Sequence, residues 1–210
     1  MHQVITALDQ TSNQPPDMIN GQYATRRDEA YRVINTSEDE VFQTNLYDWY
    51  LAQNQADRLL QVQSPYVVIY LERKSSDNVQ HADLLWEYYA NGNRYHDAAV
   101  VQLALAKSAF ALPLDKRIEY LSRAKANASA YAPGVGRQPR QLLLHEVSDL
   151  LDVANIQDDL LQRLKADPRG TPERKIEIAN ELDGPILSLT EVSNGASSQV
   201  ALTDKFPLAV

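Results

Sequence analysis

Four histidines, His2, His81, His96 and His145, are the chain's only imidazoles, and cysteine is absent. No two of the histidines stand three or four residues apart, and none sits in an H-E-x-x-H pattern, so no pair can share a helix face as metal ligands do. Without thiolates, a first-row metal would have to be gathered from scattered carboxylates and single imidazoles; the histidines read instead as surface or capping groups. Adjacent acids occur at Asp158-Asp159 and at Glu38-Asp39-Glu40. The first pair lies beside Leu160-Leu161 and fits the wet face of a helix, and the second fits a helix's first turn, where negative charge complements the macrodipole. Gly134-Val135-Gly136 lacks the preceding strand and later glycine of a dinucleotide fingerprint, and the chain has no Walker A loop and no G-x-S-x-G elbow. No catalytic, cofactor-binding or metal-binding residue is therefore assigned, and none is expected: the chain reads as no enzyme and as needing no cofactor.

Aromatic residues are the more informative class. Tyrosine is abundant (11) beside 2 Trp and 3 Phe. Tyr47-Asp48-Trp49-Tyr50 and Trp86-Glu87-Tyr88-Tyr89 put rings on adjacent helical positions, so they cannot all enter one narrow core. Inter-helix packing with hydroxyls at the rim is the expectation, ahead of a dedicated peptide groove. Base stacking is disfavoured by charge. Formal net charge is −8, and Met1–Leu105, which holds both clusters, has 7 basic against 14 acidic residues. Nucleic acid binding is expected to be weak and lost at physiological salt.

The elements that must carry these residues read as helices. Ser37-x-x-Glu40 is a capping box ahead of Val41, Phe42, Leu46, Trp49 and Tyr50; Ser64-Pro65 sets a cap before a first-position proline; Asp77-x-x-Gln80 opens a third helix that Asn91-Gly92 stops. Asn93 is placed to cap the next, and Pro113 to sit in the first turn of LDKRIEYLSRAKANAS. After the insert Tyr131–Pro139, a long helix is expected to about Ala166, with Val147, Leu150, Ala154, Gln157, Leu161 and Leu164 on one face; Leu143, Leu151 and Leu160 broaden that stripe beyond a coiled-coil seam. Asp167-Pro168-Arg169-Gly170 ends it and Thr171-Pro172 starts another, to Asp183-Gly184. Tyr66-Val67-Val68-Ile69-Tyr70 has strand propensity, but a lone strand among helices has no backbone partner, so helix is the reading. The fold class is all-α: about eight helices, suited to a bundle or an α-solenoid, with no legible repeat. Residues 1–21 read as a flexible linker, 22–191 as the helical segment, and 192–210 as a disordered tail whose neighbour, Pro185–Leu189, would leave an apolar face open to self-association. The longest apolar stretch, Ala98–Leu112, is shorter than the ~20 residues of a spanning helix, and the N-terminus has neither basic nor apolar signal-peptide region.

Several long runs carry a family likeness: EVFQTNLYDWYLAQNQADRLLQVQSPYV (Glu40–Val67), HADLLWEYY (His81–Tyr89), KANAS with PGVGRQ (Lys125–Gln138), HEVSDLLDVANIQDDLLQRL (His145–Leu164) and ELDGPILSLTE (Glu181–Glu191). From about Gln22 to Glu191 the chain resembles the C-terminal helical region of the 155/170-type inner-ring scaffold nucleoporins, in a fungal-like version. The resemblance implies an α-solenoid segment at the nuclear pore of the nuclear envelope that supports nucleocytoplasmic transport by binding other nucleoporins, through linear motifs of flexible linkers. It implies no membrane contact from this segment. It does not locate the partner-binding residues. No phenylalanine precedes a glycine, which excludes an FG-repeat barrier protein. A cytosolic helical-repeat adaptor of membrane trafficking shares the all-α, acidic, cysteine-free profile and is the alternative.

Overall fold

The computed structural model describes residues 18–167 and 172–188, together with 6, 7 and 10. The tail 192–210 and most of the 1–17 stretch lie outside the described residues. Two compact units divide at Arg73 and Lys74. Among the described residues all regular structure from Met18 on is helical, as expected: α1 (Met18–Asn35), α2 (Glu40–Ala52), α3 (Ala56–Gln61), α4 (Pro65–Ser75), α5 (Val79–Asn91), α6 (Tyr95–Lys107), α7 (Leu114–Ser129), α8 (Arg137–Ala166) and α9 (Pro172–Leu182). The first of these begins inside the 1–21 stretch expected to be a flexible linker.

In the first unit the α2–α4 core is built from Leu46, Tyr47, Tyr50, Leu59, Val62, Val67, Tyr70 and Leu71, all buried. Tyr47 and Tyr70 meet edge to face at 5.3 Å between centroids, a favourable quadrupole geometry. The strand-like run is helical: Ser64 Oγ accepts from the Tyr66 N–H (3.3 Å), and Val67, Tyr70 and Leu71 form one buried face at i, i+3 and i+4 while Ile69 stays exposed. Core burial of those three side chains, roughly 1.5–3 kcal/mol each, outweighs a propensity deficit of tenths of a kcal/mol. Gln43, itself buried, fastens the end of α1 to α2 by donating to the Ile34 and Ser37 carbonyls (2.9 Å each).

In the second unit α5 to α9 pack in order, each helix on the next. That local, sequential burial is the packing logic of a helical solenoid. One apolar cluster runs through it, from Ala82 and Ala99 through Leu114, Leu121 and Ala124 to Val147, Ala154, Leu161, Leu164 and Leu182. The buried stripe of α8 matches the expected one at Val147, Ala154, Gln157, Leu161 and Leu164, with Leu143 and Leu151 widening it, while Leu150 and Leu160 are only half-buried at its edge. Ile186 and Leu187, expected on an open face, pack against this cluster and are half-buried.

Several caps differ from expectation. The box at Ser37 is not formed: Asp39 is the N-cap of α2, accepting from the Phe42 N–H at 3.0 Å, and Ser37 Oγ accepts from Asp39 N instead. Asn78, not Asp77, caps α5 through the N–H groups of Gln80 and His81. Asn93 does not cap α6. It ends α5 in the left-handed region (φ 57°), with the Arg94 N–H on Tyr89 O (2.8 Å) and the Asn93 N–H on Ala90 O (3.0 Å). Asn54 ends α2 the same way (φ 55°), with Gln55 N on Tyr50 O (2.9 Å) and Asn54 N on Leu51 O (3.1 Å). Both are Schellman closures, in which asparagine tolerates the backbone that other side chains resist. α2 and α5 are therefore one device used twice: counterparts Asp39 and Asn78, Leu46 and Leu85, Tyr50 and Tyr89, Asn54 and Asn93 are each 39 positions apart.

Candidate functional site

The residues with the means for chemistry are dispersed. His81 lies in the first turn of α5, His96 in that of α6, and His145 is exposed on α8 beside Asp149 (3.4 Å); His2 is outside the described residues. Among the described residues no three of His, Asp or Glu are grouped to hold a metal ion. Asp159 pairs with Arg163 (2.7 Å) and Asp158 accepts from Gln162 (3.0 Å), one turn on along the wet side of α8. Glu40 faces Arg73 (3.3 Å). Gly134, with φ 83°, turns the α7–α8 loop and Gly136 precedes α8; they shape a helix start.

Aromatic groups do the fastening. Tyr47 and Tyr50 are buried, Trp49 is half-buried, and Asp48 between them is exposed. The Tyr70 hydroxyl of α4 donates to Asp48 Oδ1 at 2.7 Å, and the Tyr50 hydroxyl donates to Asn35 Oδ1 at 3.2 Å. In the second unit Asp83 Oδ1 accepts from both Trp86 Nε1 (3.0 Å) and the Tyr120 hydroxyl (2.8 Å), tying α5 to α7. Burial first, and the facing carboxylate second, push the Tyr70 and Tyr120 phenols well above their ordinary value. Arginines cover other rings: Arg94 over Tyr89 at 4.3 Å, Arg123 over Trp86 at 5.3 Å, Arg58 over Tyr31 at 4.4 Å. The rings thus pack between helices, as expected, and Tyr50, Tyr70, Trp86 and Tyr120 set their polar ends on neighbouring groups.

Three polar residues organise the second unit: Arg117, which sequence reasoning did not single out, and Gln157 and Asp183, which it placed on the α8 stripe and at the end of α9 without a bonding role. Arg117 is 1% exposed and faces no carboxylate among the described residues; its guanidinium donates to the carbonyls of Ala106 (2.7 Å), Ser108 (2.9 Å), Phe110 (2.8 Å) and Leu112 (3.2 Å). It closes the end of α6, where a cation complements the helix dipole, and holds the whole α6–α7 turn; burial lowers its pKa. Gln157, fully buried, donates to Leu182 O (2.8 Å) and Pro185 O (3.0 Å) and accepts from Leu187 N (2.9 Å). Asp183 caps α7 from outside it. An arginine beside four turn carbonyls carries no local sequence signal. A glutamine in an apolar stripe is a weak one.

What the fold leaves for a partner is helix surface. Exposed apolar side chains stand on α8 (Leu142, Ile156), α6 (Val100), α9 (Ile176) and the α7–α8 loop (Tyr131), and in the first unit at Val33, Val41 and Ile69. No described helix is long and apolar enough to cross a membrane. The described residues present side chains on helix surface.

Comparison with known proteins agrees with this picture. A family model described as the non-repetitive/WGA-negative nucleoporin C-terminal matches residues 1–199. The chain is 46% identical over 207 residues to nucleoporin NUP170 of Chaetomium thermophilum, covering 97% of this chain and 15% of that protein. It is 40% identical over 166 residues to the probable nucleoporin C890.06 of Schizosaccharomyces pombe, covering 79% and 13%. Among solved structures it is similar to the crystal structure of the Chaetomium thermophilum Nup170 CTD–Nup145N complex, with a TM-score of 0.84, 48% identity, and coverage of 92% of this chain and 37% of that one. The chain thus spans well under a fifth of the length of these full-length relatives.

Proposed function

The chain belongs to the non-repetitive/WGA-negative nucleoporin C-terminal family, and from that premise we propose that it is an α-solenoid segment of an inner-ring scaffold nucleoporin. Its role is structural: it holds other nucleoporins in place at the nuclear pore and so supports nucleocytoplasmic transport. The single observation that carries this reading is the fit of the fold, over 92% of the chain at 48% identity, onto a Nup170 C-terminal domain solved with Nup145N bound. Helix surface fastened from within by Tyr–Asp, Arg117 and Gln157 contacts suits a part that presents a fixed surface to linear motifs. The acidic balance supports protein partners over nucleic acid. Fluorescent tagging of the longer parent protein tests the reading. A punctate nuclear rim is expected; vesicles or a diffuse cytosolic signal would favour a trafficking adaptor instead.

A further inference from the structure

The 30-residue α8 carries a second stripe beside its buried one. Successive helical positions advance by about 100°, so residues one place before each core position form a neighbouring face. Val153, Ile156 and Leu160 share that face at spacings of three and four, with Leu142 further along it. Ile156 is 48% and Leu142 63% exposed, and Val153 and Leu160 are half-buried. A single exposed isoleucine is ordinary, but this row has a one-signed border. From Glu146 to Asp159 the helix holds Glu146, Asp149, Asp152, Asp158 and Asp159 and no lysine or arginine. Its intrahelical and neighbouring ion pairs, His145–Asp149 at 3.4 Å, Arg163–Asp159 at 2.7 Å and Lys107–Glu146 at 2.8 Å, are solvent-exposed and correspondingly weak.

We propose that this face of α8 docks a short amphipathic helical segment of another polypeptide. Its apolar residues would lie against Val153, Ile156 and Leu160, and lysines or arginines beside them would meet Asp149, Asp152 and Asp159. The inference rests on the scaffold reading and adds the chemistry of one partner. Helical spacing of the apolar row matches a helix-on-helix contact read at i, i+3 and i+7. The acidic border supplies charge complementarity to a basic segment, and by the same repulsion opposes a second copy of this chain seating itself there.

Fluorescence anisotropy on the full 210-residue chain tests the proposal. The probe is a labelled leucine–lysine peptide of about five helical turns, beside a twin with glutamate at every lysine. The lysine peptide is expected to bind, with Kd about tenfold weaker for Ile156→Glu and severalfold weaker for Asp149→Asn/Asp152→Asn, while Val41→Glu on α2 changes nothing. Unaltered circular dichroism and melting establish that the variants fold. The proposal is overturned if both peptides bind alike, if neither binds, if Ile156→Glu leaves binding intact, or if sedimentation shows the chain pairing with itself through this face. It is also overturned if amides 149–160 are equally protected from exchange in the longer parent without any partner. The scaffold reading is separable: a parent that reaches the nuclear rim, and with Ile156→Glu keeps every nucleoporin contact, sinks the docking face alone.

Discussion

Asp183, immediately after α9, places its carboxylate 3.0 Å from the backbone N–H of Leu114, the first residue of α7 and 69 positions earlier in the chain. Pro113, at the N-cap position, has no side chain able to accept that hydrogen bond. The cap of one helix is thus supplied by the end of another. A local stabilisation has become a tertiary one. Asp183→Ala is expected to lower stability by about 1 kcal/mol, the usual worth of a helix cap, and Asp183→Asn to recover most of it. Urea midpoints at constant slope would measure both; equal loss from the two variants would show that the cap is not the cause.

Arg117 is the residue whose removal should harm the second unit most. Arg117→Met keeps much of the volume but leaves the carbonyls of Ala106, Ser108, Phe110 and Leu112 without their donor in a part-buried turn. A loss of about 3 kcal/mol or more is expected. Arg117→Lys should rescue less than half, because one ammonium cannot span four acceptors that the planar fork reaches. Equilibrium unfolding decides it, and a loss below about 1 kcal/mol would mean that water replaces the guanidinium.

Tyr70 and Tyr120 make stability fall at alkaline pH. Both phenols are held neutral by burial and by Asp48 and Asp83. A raised pKa in the folded state means that below the unfolded value, about 10, their contribution is fully present. Above it the unfolded chain ionises first, and stability declines as pH rises toward the folded values, by up to about 1.4 kcal/mol per pH unit for each group. Tyr70→Phe/Tyr120→Phe should cost about 1–3 kcal/mol at neutral pH and flatten the alkaline slope. Unfolding curves between neutral and strongly alkaline pH would show an unchanged slope if these two phenols were not responsible.

Asn54 and Asn93 should respond alike, because they occupy equivalent left-handed positions. Asn→Ala at either site is expected to destabilise by about 1 kcal/mol, and Asn→Gly to be neutral or stabilising. Thermal melts of the four variants measure this. Divergent behaviour at the two sites would break the equivalence of α2 and α5.

The amino-acid sequence determined the class of the fold and most of its elements. Apolar periodicity, Ser64-Pro65 and the breaks near Asn91, Tyr131 and Asp167 are local signals, since each depends on residues within a turn or two of one another. The α8 stripe, polar Gln157 included, was legible for the same reason. Choosing among adjacent capping groups was not. Ser37 or Asp39, Asp77 or Asn78, Gly92 or Asn93 differ by steps that each rotate a helix by about 100°. Only docking of the buried face selects among them. Tertiary structure alone also decided that Arg117 is buried among carbonyls and that α2 and α5 repeat one construction under different side chains. The partners that settle these choices lie on other helices or in other turns. Gln157 binds backbone groups 25 to 30 positions away, and Asp183 reaches further still. Contacts of that span arise from how helices stack, which short-range periodicity does not encode.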